Sequence, residues 1–172
     1  MKKYIVIDTW NGEGYSDHNG VDTRIFTDKN KAFEWAYSRA LSEANNIEGD
    51  VSQYSNQEWW GNAEPYSDGD GYIYEGANGN DGSYQVYELK EDTYAFGILC
   101  NINTVSLFTK KQYDETIEDL EWRIENWIEE HKEKEWVTTD IEGLRQIADN
   151  GDRYYCEFDD YDYQFRLITN LK

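Results

Sequence analysis

The sequence predicts an α+β protein. The expected architecture is a single domain of mainly antiparallel sheet, about six to eight short strands, packed with one long amphipathic helix and two shorter helices. Two observations lead there. Short β-prone runs alternate with Gly- and Asn-rich turn signals through much of the chain, and one segment near residue 120 keeps a helical period for many turns. The length, 172 residues, fits about one domain on the usual prior of roughly 100–200 residues each. No internal repeat and no second domain boundary stands out, so the expected domain is 1–172.

Taken in order, Lys3 to Ile7 and Thr23 to Phe26 read as strands, joined across the turn signals Asn11-Gly12-Glu13-Gly14 and His18-Asn19-Gly20. Thr27 or Asp28 can then cap a helix. Ala32, Phe33, Ala36, Tyr37, Ala40 and Leu41 follow at three- and four-residue spacing and give it one buried face.

Periodicity fades from there, and a long acidic, aromatic-rich loop is expected at about 45–71, holding Trp59-Trp60 and the only proline, Pro65. Tyr72 to Tyr74 and Ser83 to Leu89 read as strands around the turn 78–82. Tyr94 to Cys100 and Thr104 to Thr109 make a further pair, all in an antiparallel meander.

Lys110 to about Glu135 is the long helix, because Tyr113, Ile117, Leu120, Ile124, Trp127 and His131 recur at 4-3-4-3-4 spacing and line one face. A short helix opened by Thr139 or Asp140 and closed by Asn150-Gly151 is expected to bury Ile141, Leu144 and Ile147. Tyr154 to Phe158 and Gln164 to Ile168 then alternate around Asp159-Asp160-Tyr161-Asp162 as a last hairpin.

Charge is the strongest functional signal. Thirty-six acids against sixteen bases give a formal −20, well beyond the magnitude of about 2–8 that keeps a small domain soluble. The excess is regional. Residues 1–40 balance six acids with six bases, 41–100 carry twelve acids and one base, and 101–172 carry eighteen and nine. The stretch from Glu58 to Tyr84 holds six aromatics, six carboxylates and six glycines with no Lys or Arg. Such a chain repels phosphates, so direct binding of DNA or RNA, which needs arrays of Lys and Arg, is not expected.

Catalytic motifs are missing from the sequence: no Gly-x-Ser-x-Gly, no activated Cys arrangement, no Gly-rich phosphate loop. His18 and His131 have no Cys or His partner at ligand spacing. No cofactor is expected. Neither Asp68-Gly69-Asp70 nor Asn78-Gly79-Asn80-Asp81 fits the register of a calcium loop, which leaves only an irregular calcium site open there. The apolar run of the N-terminus is too short for a signal peptide, and no segment is apolar enough for a membrane span. Both point to a cytoplasmic protein without membrane partners. Cys100 and Cys156 read as reduced thiols.

A basic protein is the partner that this charge favours. Asp114, Glu118, Glu121 and Glu125 follow at 4-3-4 spacing on the long helix, with successive carboxylates roughly 5–6 Å apart along the axis at about 1.5 Å rise per residue. That spacing is on the scale of phosphates along a duplex. Glu129 extends the row, and Asp159, Asp160 and Asp162 are expected to add to it. Trp59, Trp60, Tyr66 and Tyr72, with Asp68 and Asp70, offer aromatic anchors in an acidic frame.

In size, charge and richness in acids and aromatics the chain resembles, as a class, the nucleic-acid mimics through which phages and mobile elements block restriction enzymes, CRISPR effectors and other DNA-binding host proteins. The resemblance is one of composition, with no shared motif. It implies a non-catalytic inhibitor, phage or mobile-element encoded, that occupies a basic nucleic-acid-binding surface of a host defence protein. Two other readings stay open. One is a small-ligand binder that holds a nucleotide-like signal or a sugar in an aromatic-lined pocket fed by Lys2, Lys3, Arg24, Lys29, Lys31 and Arg39. The other is a carboxylate-dependent enzyme. Oligomeric state is not legible.

Overall fold

The computed structural model describes residues 1–11, 23–44, 64–75, 81–99, 104–133, 141–158 and 161–171. It is an α+β protein with two five-stranded antiparallel sheets, each accompanied by one helix. Contacts divide the chain into two compact units, Met1–Lys90 with Lys172, and Glu91–Leu171.

The first unit consists of β1 (Lys3–Asn11), β2 (Thr23–Phe26), α1 (Lys29–Ala44), β3 (Tyr66–Ser67), β4 (Gly71–Tyr74) and β5 (Asp81–Leu89), in the sheet order β2-β1-β5-β4-β3. Asp28 starts α1 by accepting the backbone N–H groups of Asn30 and Lys31 at 2.8 and 3.1 Å, which satisfies two donors of the first turn. Four alanines at four-residue spacing, Ala32, Ala36, Ala40 and Ala44, form the buried line of the helix. Small side chains there let α1 lie close over the large ones of the sheet, Tyr4, Val6, Tyr74, Tyr84 and Val86. Trp35 of the helix meets Tyr84 edge-on at 5.9 Å.

The second unit inverts that distribution of volume. It consists of β6 (Thr93–Leu99), β7 (Thr104–Thr109), α2 (Lys110–His131), the single turn α3 (Ile141–Leu144), β8 (Arg145–Ile147), β9 (Arg153–Phe158) and β10 (Tyr161–Leu167), and ends in a 3-10 turn, Ile168–Asn170. Its sheet runs β7-β6-β10-β9-β8. Here the helix brings the bulk, Tyr113, Ile117, Leu120 and Ile124, and β6, next to the central strand, is small at Ala95 and Gly97. A Cβ on Gly97 would stand 2.9 Å from the rings of Phe108 and Phe165.

Both units therefore run ββαβββ with the same neighbours: the first strand sits between the second and the fifth, and the third is at the edge. The sequence carries the same repeat. Phe26-Thr27 and Phe108-Thr109 stand where the second strands end, and Asp68-Gly69-Asp70-Gly71-Tyr72 matches Asn150-Gly151-Asp152-Arg153-Tyr154 at the entry to the fourth, each pair 82 positions apart. The matched turns share their geometry. Asp68 Oδ1 accepts the N–H of Asp70 at 3.2 Å, Asn150 Oδ1 accepts that of Asp152 at 3.0 Å, and the following glycines take φ of 97° and 86°. In both, the aspartate after the glycine holds the last strand: the Asp70 carbonyl accepts Val86 N–H at 2.7 Å, and the Asp152 carboxylate accepts Leu167 N–H at 2.9 Å.

Several expectations need correcting. The described residues form ten strands in two sheets, not six to eight in one meander, because β5 returns to pair with β1 while β6 opens a second sheet. The expected loop at 45–71 contains β3 and the start of β4, and residues 45–63 lie outside those described. The long helix, expected to about Glu135, ends at His131 after 22 residues, with Lys132 as its C-cap. The expected third helix shrinks to α3. Leu144 is buried, but Arg145–Ile147 turns into strand β8 against β9, and Ile147 is 56% exposed. Three apolar residues at three-residue spacing fit one helical turn and then a strand, and pairing with β9 decides in favour of the strand. The repeat itself went unread, since only short motifs preserve it.

Candidate interaction surface

Helix α2 is the element to which the sequence assigns most of the function. Thr109 caps it reciprocally: its hydroxyl accepts Gln112 N–H at 3.3 Å, and the Gln112 side chain accepts Thr109 N–H at 3.0 Å. Lys110 and Lys111 sit unfavourably at the positive end of the helix dipole. Asp114 and Glu115, one turn on, offset them through i,i+4 pairs of 2.5 and 3.5 Å. At the other end Glu129 pairs with Lys132, and His131 Nδ1 lies 2.8 Å from the Trp127 carbonyl, its ring stacked on the indole at 4.5 Å.

Each acid of the predicted row immediately follows a residue of the apolar stripe: Asp114 after Tyr113, Glu118 after Ile117, Glu121 after Leu120, Glu125 after Ile124. At about 100° per residue the row runs along the shoulder of the buried face. Glu118 and Glu125 are exposed, as are Asp114 and Glu129. Glu121 is not free. Its side chain is 24% exposed and reaches the sheet, where Oε2 meets Arg145 Nη2 at 2.6 Å and Oε1 meets Arg153 Nη1 at 3.1 Å. Tyr155 donates its hydroxyl to the same Oε1. Burial, followed by this hydrogen bond, pushes the Tyr155 phenol well above its ordinary range.

The face directly opposite the stripe holds a residue that the pattern reading passed over. Trp122 is 63% exposed, and Glu118, Asp119 and Glu125 at i−4, i−3 and i+3 are exposed around it. The signal was present in the sequence, because five residues past Ile117 a helical side chain points away from the core.

The other predicted site residues lie elsewhere. Tyr66, 51% exposed, and Asp68 and Asp70 belong to β3 and its turn in the first unit. The Asp68 carboxylate is committed to that turn: Oδ1 serves Asp70 and Gly71, and Oδ2 accepts Gln85 Nε2 at 2.6 Å. A carboxylate already holding three donors is a poor start for the irregular calcium site that the sequence leaves open here. No group of three or more His, Cys, Asp or Glu arranged for a metal occurs among the described residues. Asp162 is half-buried in β10. Trp59, Trp60, Asp159 and Asp160 lie outside the described residues, as do Asn78 to Asn80 of the other candidate calcium loop.

Tyr72, expected as an anchor, instead packs on Tyr37 and Phe33 at 5.3 and 6.3 Å, and the remaining described rings between Glu58 and Tyr84, Tyr74 and Tyr84, are core. The basic residues of the first unit are spread over separate contacts. Lys2 pairs with Glu88 at 2.9 Å, Arg24 lies 5.5 Å from the Phe26 ring, Lys29 lies 5.5 Å from that of Phe33, and Arg39 pairs with Glu43 at 3.6 Å. No described helix is long and apolar enough to cross a membrane. No protein-family model, no curated protein and no solved structure matches the chain.

Proposed function

We propose that the protein is a non-catalytic, acidic binding protein that occupies a basic nucleic-acid-binding surface of a partner protein and blocks it, as a phage or mobile-element inhibitor of host defence would. One observation carries the reading: two helices in the same topological place carry opposite surfaces. The exposed positions of α1 are Lys29, Asn30, Lys31, Glu34 and Ser38, whereas α2 exposes Asp114, Glu115, Glu118, Asp119, Glu125, Glu129 and Glu130 against Lys110 and Lys111. The fold is therefore built without an acidic helix in one repeat, so the acidity of the other is not a requirement of the architecture. A rigid row of carboxylates steers basic surfaces toward it and disfavours nucleic acid.

The test is capture of partners on the immobilised protein, elution by stepwise salt and competition with duplex DNA. The expected result is a nucleic-acid-binding protein that DNA displaces, with an affinity that falls steeply as the Debye length shortens from about 10 Å at 0.1 M salt. Charge reversal at Glu118 and Glu125 should weaken that complex. Binding that is indifferent to salt, to DNA and to both reversals would refute the proposal.

A further inference from the structure

Resting on the reading that α2 meets a basic surface, we infer that Trp122 with Glu118, Asp119 and Glu125 forms a seat for an arginine side chain of the partner protein. On a helix, residues three and four apart are surface neighbours, about 5–6 Å between Cβ atoms. Side chains also lean toward the N-terminus of their helix, which lays the indole over the turn that carries Glu118 and Asp119, with Glu125 on its other flank.

The seat is open, and its charge is not spent among the described residues. Trp122 is 63% exposed. The helix lysines Lys110, Lys111 and Lys132 are taken by Asp114, Glu115 and Glu129, and Arg123 is half-buried and already engaged. Glu118, Asp119 and Glu125 make no ion pair among the described residues. Nor does the fold need a large aromatic on this face, since no aromatic is among the exposed residues of α1.

The chemistry selects arginine over lysine. An indole is the best π-face for a cation, and a planar guanidinium can stack on it while its edge N–H groups reach flanking carboxylates. An ammonium is a strongly hydrated point charge and does one or the other less well. The acids alone would accept either cation, so it is the ring that discriminates.

The experiment uses the full chain and two probes of equal charge, nona-arginine and nona-lysine, with calorimetric affinities and the indole N–H resonance of Trp122, assigned from Trp122→Phe. Nona-arginine is expected to bind about two- to fivefold tighter, the gain of one exposed cation–π contact, and to move the Trp122 resonance further. Trp122→Ala should abolish the preference while leaving the thermal midpoint unchanged. A preference that survives Trp122→Ala, or a Trp122 resonance indifferent to both peptides, overturns the seat. If both peptides bind equally and Glu118→Lys with Glu125→Lys weakens both, the acidic docking face stands and only the arginine seat falls. Binding unaffected by those reversals removes both.

Discussion

Tyr155 on β9 donates its hydroxyl hydrogen to Glu121 Oε1 at 2.5 Å, fastening α2 to the sheet through an acid whose second oxygen holds Arg145. Glu121 is thus a fastener within its unit, while Glu118, three residues earlier in the same row, faces solvent.

Glu121→Ala should accordingly destabilise the protein by about 1–3 kcal/mol, because it leaves two guanidiniums and a phenol without their acceptor. Glu118→Ala should stay within about 0.5 kcal/mol of the parent. Equilibrium denaturation of the two variants decides. Equal stabilities would mean that the network contributes nothing.

The two glycines of the β3–β4 turn should respond differently to alanine. At Gly71 a Cβ would lie 2.1 Å from the Tyr84 carbonyl oxygen and 2.8 Å from Gln85 Cα, both backbone atoms of the paired strand, so β4 must move off β5. At Gly69 nothing lies within 4 Å and the cost is only that of φ 97°, about 1–2 kcal/mol. Gly71→Ala should therefore unfold at a distinctly lower denaturant concentration than Gly69→Ala.

Alkaline pH should unfold the protein through its tyrosines. Burial, then the charges of Asp70 and Asp68, pushes the Tyr87 phenol up to about 12, and burial also raises Tyr84 and Tyr155. Below the unfolded value of about 10 these groups are neutral in both states and their contribution is intact. Above it the unfolded chain ionises first, so stability falls as pH rises from about 10 through about 12. Phenolate absorbance followed together with circular dichroism checks this, and Tyr87→Phe should move the alkaline unfolding limb to higher pH.

The two cores should be weakened by opposite changes of volume. Ala36 has no exposed surface beneath α1, and Ala36→Leu should overpack that interface at a cost of about 1–3 kcal/mol. Ile124 is equally buried beneath α2, and Ile124→Ala should leave a cavity costing about 2–5 kcal/mol. Thermal melts of both variants provide the comparison.

Periodicity made α2 legible, since six residues at 4-3-4-3-4 spacing leave little choice about which side is buried. β7 was equally legible, and its bounds, Thr104–Thr109, are those read from the sequence. What strand propensity does not encode is the neighbour. Nothing local to Leu89 says that its strand pairs with Lys3 and not with the strand that follows it. β8 failed for a related reason, because three residues acquire their state from β9. At the surface, an apolar stripe draws attention to itself, and Trp122 was passed over because it breaks no pattern on the buried side. Glu121 shows the converse: spacing put it in a row of four, but only the sheet beneath supplies the arginines that take it out of solvent competition.

Lys3 pairs with Leu89 across β1 and β5, so the first unit begins and ends at one place. A module whose entry and exit meet can be copied in tandem with a minimal connection, and here Lys90, Glu91 and Asp92 suffice to pass from β5 to β6. The same closure makes each copy indifferent to where its chain is cut: joining residue 3 to residue 89 and reopening the tight turn at Gly69 would preserve every strand neighbour. Modularity of this kind lets one copy keep the architecture while the other is remade on its outside, which is the relation between α1 and α2.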